Sequence, residues 1–256
     1  MGGLFVAAVP GGPDADRIVF VHGALDRSSA FVPAFRRLRG CELVRYDRRG
    51  YGRSRSAGIS ADLGAQVDDL TTVVDGQPSV VVGHSLGGVL ALVFADRHPD
   101  LARAVVAYEA PMAWTDWWPS STAGGAAVDG SGSPADAAER FMRRLVGDQR
   151  WEALPPRTQA ERRAEGPALV AELRAMRADA SAPYAAGALS MPVLAAHGSE
   201  SRPHHQEAAR RLADAAPHGE LAVIEGAGHG AHLTHPEAFA EVVRRAVTRA
   251  GDRAPR

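Results

Sequence analysis

Short runs of apolar residues recur along the chain, and most are followed by a segment whose apolar positions have helical spacing. Apolar, β-branched runs predict buried strands at 17–23, 41–47, 79–85, 103–110, 192–198 and 220–226. Helical patterns follow at 29–38, 61–76, from 86 onward, at 205–215 and at 236–249. Strands that are apolar throughout are covered on both faces, as in a parallel sheet with crossover helices. The pattern predicts an α/β fold with a mostly parallel, doubly wound sheet.

This alternation breaks once, between about residues 111 and 190. The segment begins with PMAWTDWWPSS, passes through the Gly/Ser-rich stretch TAGGAAVDGSGSP, and then contains two helical patterns. An insertion of about eighty residues between two strands predicts a helical cap over one edge of the sheet. We therefore expect a core formed by 1–110 and 191–256 and a cap over 111–190. The Gly/Ser-rich stretch is expected to be mobile.

A short motif follows the strand at 79–85. The residues Gly83-His84-Ser85-Leu86-Gly87 match G-x-S-x-G, in which a serine on a sharp strand-to-helix turn exposes its Oγ. The N-terminal amides of the following helix stabilise negative charge at such a turn. Because a β-branched strand precedes the motif and an amphipathic helix follows it, Ser85 is predicted to be a nucleophile rather than a helix cap.

The loop after the strand at 17–23 is the second element of this predicted site. An oxyanion hole needs two convergent backbone N–H donors, one after the nucleophile and one from this loop. The N–H groups of Ala24 and Leu86 are predicted to fill these roles. His22 is expected to brace the loop by hydrogen bonding rather than to react.

A glycine-rich loop after the last strand, EGAGHGAHL (225–233), supplies the candidate general base. A general base must reach the serine Oγ, and a loop at the carboxyl edge of the sheet can bring it there. His229 lies in the middle of this loop and is the predicted base. His232, three residues later, is the alternative.

Together these segments resemble the α/β-hydrolase superfamily over nearly the whole chain. The motifs that carry the resemblance are HGA (22–24), YDRRGYGRS (46–54), GHSLGG (83–88) and GAGHGAHLTHP (226–236). The resemblance implies a sheet of α/β-hydrolase type and a serine hydrolase that needs no cofactor. Arg48 and Arg49, in the second motif, are expected to be structural or solvated rather than substrate ligands. These motifs specify the fold much more than the substrate.

The acid that orients the base has two candidates. In most relatives it stands three residues after the glycine that ends the strand at 192–198, a position that is Ser201 here, and Glu200 precedes it. Glu109 instead ends an apolar strand, where a buried glutamate is costly unless it is paired. Its setting, YEAP followed by a cap, resembles the zearalenone lactonases, which take their acid from this strand. We favour Glu109, with Glu200 as the alternative.

The combined prediction is a serine hydrolase that cleaves an ester or lactone of a small to medium apolar molecule. Two alternatives stay open: C–C bond hydrolysis or perhydrolysis by the same residues, and a non-catalytic protein that binds small molecules. Haloalkane dehalogenases and epoxide hydrolases of this fold use an aspartate nucleophile, so Ser85 argues against both. Trp114, Trp117 and Trp118 are expected either to line an apolar pocket or to attach the cap.

Composition narrows the class of partner. The 29 basic residues, all arginines, and 30 acidic residues give a net charge of −1, so nothing favours nucleic acid or an anionic membrane. Cys41 is the only cysteine, so we expect neither an internal disulfide nor a cysteine-based metal site. The first residues lack a basic region and a long apolar run, so we expect a cytoplasmic protein. We further expect a monomer or a homodimer, with a small molecule as substrate.

Overall fold

The computed structural model describes residues 3–178 and 180–252. The strands are β1 Val6–Val9, β2 Arg17–Val21, β3 Glu42–Tyr46, β4 Ser79–His84, β5 Ala102–Tyr108, β6 Val193–Gly198 and β7 Gly219–Ile224. The helices of the first half are α1 Val32–Phe35, α2 Leu63–Val74, α3 Leu86–Arg97, α4 Ala123–Asp129 and α5 Pro134–Val146. Those of the second half are α6 Asp148–Glu152, α7 Pro156–Ala164, α8 Gly166–Ala178, α9 Pro203–Ala215, α10 Ala231–Thr234 and α11 Pro236–Gly251.

The strands form one 7-stranded sheet in the order β1-β3-β2-β4-β5-β6-β7. Only β1 is antiparallel to its neighbour, β3, and the other strand pairs are parallel. This confirms the predicted α/β fold with a mostly parallel sheet. Because parallel strands end at one edge, the loops after β2, β4, β5, β6 and β7 meet there.

Helices cover both faces of the sheet, as expected for strands that are mostly apolar. Leu70 of α2, Phe94 of α3 and Leu212 of α9 belong to one apolar cluster, and Phe35 of α1 and Phe239 of α11 belong to another. Successive residues of a strand alternate between these clusters, since side chains of a strand point to opposite faces. The doubly wound arrangement follows from this two-sided burial.

The helix predicted at 29–38 is shorter than its sequence pattern. The chain first forms a 3₁₀ turn, Ser28–Phe31, and then the short helix α1. Pro33 lies in the first turn of α1, where a proline is tolerated because the N–H groups there have no intrahelical partner. The proline therefore marks a new helix start inside the predicted one.

The Gly/Ser-rich stretch contains a helix that the sequence pattern did not indicate, while its expected mobility stays a prediction. Its first half forms α4, whose N-terminus is capped by Thr122 Oγ1 accepting a hydrogen bond from the Gly125 N–H at 3.1 Å. A Cβ on Gly125 would lie 1.8 Å from the Ser120 carbonyl oxygen, so this position requires glycine. Glycine here permits close packing within the turn.

Helices α4 to α8 lie between β5 and β6, in the insertion that the sequence indicates. The two predicted helical patterns correspond to α5 and α8, whereas α4, α6 and α7 have no counterpart among the predicted elements. The insertion has an apolar cluster of its own, which includes Phe141, Trp151 and Leu169. Leu25 and Tyr51, from loops that precede the insertion, also belong to this cluster. The exact division into core and cap stays a prediction. Within the described ranges, no helix is both long and apolar enough to cross a membrane.

Candidate active site

Ser85 lies on the turn between β4 and α3 in a strained backbone conformation. Its φ is +54° and its ψ is −124°, a region that non-glycine residues occupy at a cost of about 1–3 kcal/mol. The turn is held on both sides: the Ser85 N–H donates to the Tyr108 carbonyl, and the Gly88 N–H donates to the Ser85 carbonyl, both at 2.8 Å. Such strain at a strand-to-helix turn is the predicted setting of a nucleophilic serine.

The flanking glycines of the motif are required by close packing. A Cβ on Gly83 would lie 2.2 Å from the carbonyl oxygen of Gly87, across the turn itself. A Cβ on Gly87 would lie 2.1 Å from the carbonyl oxygen of Val21 in β2. Any side chain at either position would therefore push α3 away from the sheet and displace Ser85.

Ala24 and Leu86, the predicted oxyanion-hole residues, line the same cavity as Ser85. The loop after β2 packs tightly on the nucleophile, since a Cβ on Gly23 would lie 3.0 Å from the Ser85 Cβ. Leu86 is the first residue of α3, so its N–H has no partner within the helix. The structure brings both residues to the site, while their role as oxyanion donors stays a prediction.

His22 braces this loop, as its sequence context indicates. Its Nε2 accepts a hydrogen bond from the Arg48 N–H at 2.9 Å, and its Nδ1 donates to the Gly23 carbonyl at 2.8 Å. Burial, with a smaller effect of the Arg48 charge, lowers the pKa of His22 to about 3. The imidazole is therefore neutral and acts as a structural hydrogen-bonding group.

Arg48 connects the loop after β2 to the insertion. Its guanidinium donates to the carbonyls of His22 and Gly23, and it pairs with Glu172 of α8 at 2.8 Å. Burial alone would lower the pKa of Arg48, but the charge and hydrogen bond of Glu172, together with the nearby Tyr51 and Tyr46, raise it. Both residues are almost completely buried. Arg48 is thus structural, one of the two roles expected for it.

Glu109 and His229 form a hydrogen-bonded pair beside Ser85. Glu109 follows β5 with a φ of +49°, and its Oε2 lies 2.6 Å from the Nδ1 of His229. The Glu109 side chain is completely buried, and burial alone would raise its pKa. The hydrogen bond and charge of His229, with smaller contributions from His205 and Ser201, instead hold the pKa of Glu109 well below its usual range. The carboxylate is therefore ionised and accepts the Nδ1–H.

The loop that carries His229 is held by the ends of β4 and β5. His84 Nε2 donates to the His229 carbonyl at 2.8 Å, and the Tyr108 hydroxyl donates to the Gly228 carbonyl at 2.7 Å. His232, the alternative base, lies beneath this loop with its Nε2 3.6 Å from Asp26, and only 1% of its surface is exposed. In the described part of the chain the cavity is lined by His229 and not by His232.

Glu200, the alternative acid, lies exposed at the cavity. Among residues 3–178 and 180–252 it forms no hydrogen bond or ion pair with His229. Ser201 is buried instead, and its Oγ donates a short hydrogen bond to Glu109 Oε1. The structure therefore brings Glu109 to the histidine and leaves Glu200 apart from it.

His205 joins this site although no sequence pattern predicts it there. Its Nδ1 lies 3.9 Å from Glu109 Oε2, and its ring centroid lies 4.9 Å from that of His229. Burial, and then the neighbouring His229, lower the pKa of His205 to about 3. No sequence signal marks His205, since its contact with Glu109 arises only when α9 packs beside β5 and β6.

The cavity at this edge has a volume of about 530 Å³. The insertion contributes an apolar part of its wall, which is formed by Trp118, Phe141, Leu145, Leu173 and Met176. The other two tryptophans pack elsewhere: Trp114 against Tyr184 at 5.7 Å, and Trp117 against Arg211 at 4.8 Å. Of the three candidates, Trp118 alone lines this cavity.

Among the residues that the structure describes, two groups of side chains near the site have the donor atoms that a metal ion needs. One consists of Asp26, His84 and His232, and the other of Glu109, His205 and His229; in each group the donor atoms lie within 4.8 Å of one another. In the second group the carboxylate and His229 already satisfy each other through their hydrogen bond. The position of Glu109 and His229 in the second group is therefore explained without a metal. The expectation that the protein needs no cofactor stays a prediction.

Comparison with known proteins places this chain in a family. A 2-(acetamidomethylene)succinate hydrolase of Mesorhizobium japonicum is 32% identical over 97 residues, which are 36% of this chain and only 34% of that protein. A pimeloyl-(acyl-carrier protein) methyl ester esterase of Chromobacterium violaceum is 29% identical over 254 residues, 92% of this chain and 94% of that protein. The crystal structure of an enol-lactonase from Burkholderia xenovorans LB400 has a TM-score of 0.72 at 21% identity and covers 96% of both chains. Residues 18–242 match the family model, and the chain belongs to the Alpha/beta hydrolase family.

Proposed function

We propose that this protein is a serine hydrolase that cleaves ester or lactone bonds through an acyl-enzyme on Ser85. The observation that carries the proposal is the hydrogen bond of His229 to the buried Glu109 carboxylate, a pair that lines the same cavity as the strained serine. The methyl ester esterase and the enol-lactonase similar to this chain support ester or lactone chemistry. The proposed substrate is a small molecule, and no cofactor takes part.

In the first half of the reaction, Ser85 Oγ attacks the substrate carbonyl carbon while His229 Nε2 takes the serine proton. Glu109 accepts the Nδ1–H of His229, keeps the proton on that nitrogen, and stabilises the imidazolium that forms. The backbone N–H groups of Ala24 and Leu86 donate hydrogen bonds to the oxyanion of the tetrahedral intermediate. Collapse of this intermediate transfers the proton from His229 to the leaving alcohol.

In the second half, water hydrolyses the acyl-enzyme. His229 removes a proton from the water molecule as it attacks the ester carbonyl, and the same two N–H groups hold the second oxyanion. Breakdown of this intermediate returns the proton to Ser85 Oγ and releases the acid. For a lactone, the leaving hydroxyl and the acyl group belong to one molecule, so a single hydroxy acid is released.

The cavity favours a small to medium acyl group with an apolar part. Its volume of about 530 Å³ lies within the usual range of small-molecule sites. Trp118, Phe141 and Leu173 offer apolar contact area in the same cavity that Ser85 and His229 line. We infer that the apolar part of the substrate packs against the insertion while its carbonyl group lies at the serine.

Labelling with a fluorophosphonate tests the nucleophile without knowledge of the substrate. The probe should add one phosphonyl group to the folded protein, at Ser85, as measured by intact mass and peptide mapping. The Ser85→Ala variant is the matched control and should be unlabelled and inactive toward a panel of p-nitrophenyl esters and lactones. Folded wild-type protein that is neither labelled nor active on the panel would refute the proposed function.

A further inference from the structure

Ser201 contacts the carboxylate of Glu109 on the side away from the histidine. Its Oγ donates a short hydrogen bond to Oε1, while Oε2 accepts from His229. The Gly198 N–H also points to this place, 3.1 Å from Ser201 Oγ and 3.4 Å from Glu109 Oε1. Oε1 therefore accepts from Ser201 and, at a longer distance, from the Gly198 N–H, whereas Oε2 accepts from His229 on a different loop.

These two anchors fix the rotation of the carboxylate group. The terminal torsion of a glutamate side chain is broad, so one hydrogen bond to Oε2 alone leaves the plane of the group free to turn. A second donor at Oε1 restricts that rotation and holds Oε2 toward His229. The hydrogen bond to an ionised oxygen also stabilises the charge that Glu109 carries.

Ser201 can act as such an anchor because its own turn is held firmly. Its N–H donates to the Gly198 carbonyl at 3.1 Å, and its carbonyl accepts from Gln206 Nε2 at 2.8 Å. The preceding Glu200 N–H donates to the carbonyl of Ala227, in the loop before His229, at 2.9 Å. The turn after β6 is thus tied to α9 and to the histidine loop, and Ser201 is buried within it.

We propose that Ser201 is a positioning residue for Glu109: its hydroxyl orients the acid that orients His229. The inference rests on the proposed function, because it assigns Ser201 a role only if the Glu109–His229 pair works in catalysis. Ser201 does not touch the reacting atoms in this scheme. Its removal therefore slows the chemical step and leaves substrate binding nearly unchanged.

The test compares steady-state kinetics of Ser201→Ala and Ser201→Cys with those of the wild type. Both changes remove the hydroxyl; cysteine preserves the approximate size of the side chain but offers only a weak S–H donor, so a cavity effect is separated from loss of the strong O–H donor. We expect kcat to fall at least tenfold in both variants, with KM within twofold of the wild-type value. Ser60→Ala is the control: Ser60 precedes α2, hydrogen-bonds to the backbone of Asp62 and does not line the cavity, so kcat should not change.

A double-mutant cycle separates positioning from a general structural role. In a Glu109→Gln background the charged acid is already lost, so adding Ser201→Ala should change kcat by less than twofold. An independent structural effect would instead lower kcat by the same factor in both backgrounds and would overturn the proposal. Wild-type kcat in both Ser201→Ala and Ser201→Cys would overturn it as well. Neither result affects the proposed function, which fails only if the wild type is neither labelled nor active.

Discussion

Replacing Glu109 by glutamine tests whether His229 needs a negatively charged partner at its Nδ1. Glutamine keeps the size of the side chain but removes the negative charge that faces His229 Nδ1 at 2.6 Å. Its amide NH₂ can donate to Nδ1, which then needs a lone pair, so the single proton of the neutral ring moves to Nε2. In that tautomer His229 cannot accept the proton of Ser85.

The size of the effect follows from this change of tautomer. Loss of the orienting acid in a serine–histidine site lowers kcat by about 10⁴-fold. At about 1.36 kcal/mol for each factor of ten, this is a loss of about 5.4 kcal/mol of transition-state stabilisation. Loss of a hydrogen bond to a charged group costs about 1.5–3 kcal/mol of folding stability, so Glu109→Gln should unfold at a lower temperature yet remain folded at 25 °C.

The assay measures kcat for one p-nitrophenyl ester in Glu109→Gln and in the matched variant Glu200→Gln. Because the Glu200 side chain is exposed and forms no hydrogen bond or ion pair with His229 among the described residues, kcat of Glu200→Gln should stay within twofold of the wild type. Circular dichroism and thermal unfolding confirm that each variant is folded. If only Glu200→Gln lost several orders of magnitude in kcat, the assignment of the acid would be wrong.

Two further predictions concern stability. Arg48→Met should lower the free energy of unfolding by about 3–5 kcal/mol in a urea titration, because Glu172 is then buried without its cation. Adding Glu172→Leu should recover part of this loss. Wild-type stability of Arg48→Met would contradict the role of the pair. Lowering the pH from 6.5 toward 3 should destabilise the protein. His22 alone should reduce the free energy of unfolding by up to about 1.4 kcal/mol for each pH unit. Burial, then Arg48, lowers the pKa of His22 to about 3, so over this interval the unfolded chain binds a proton that the folded protein does not. A urea midpoint that does not change between pH 6.5 and pH 4 would refute this reasoning.

The sheet and the serine turn could be predicted because their causes are local in sequence. Strands β2, β4 and β5 are apolar at nearly every position, which is typical of strands buried on both faces. The turn at Ser85 needs glycine at positions 83 and 87, because a Cβ at either position would lie within 2.2 Å of a backbone carbonyl oxygen. Glycine at both of these positions, around the end of an apolar strand, therefore marks the tight turn in the sequence.

The insertion was much harder to predict because its helices depend on distant contacts. Short helices such as α4 and α6 are marginal by themselves and need packing against other elements. Trp151 of α6 is buried in the insertion's apolar cluster, and Ala127 of α4 is buried in the same cluster. Arg48 presents the same difficulty, since its partner Glu172 is 124 residues away in sequence.

The pairing of Glu109 with His229 could be inferred, whereas its contact with Ser201 could not. An acidic residue at the end of a buried strand needs a partner, and this physical requirement is visible in the sequence. The contact with Ser201 depends instead on the register of β5 against β6, in which Tyr108 pairs with Ala196 and the Glu109 N–H donates to the Ala196 carbonyl at 2.8 Å. A shift of one residue would turn the Glu109 side chain to the opposite face of the sheet and separate it from both His229 and Ser201. The register between these two strands thus determines which acid reaches the histidine, and pairing between strands separated by the whole insertion leaves no local mark in the sequence.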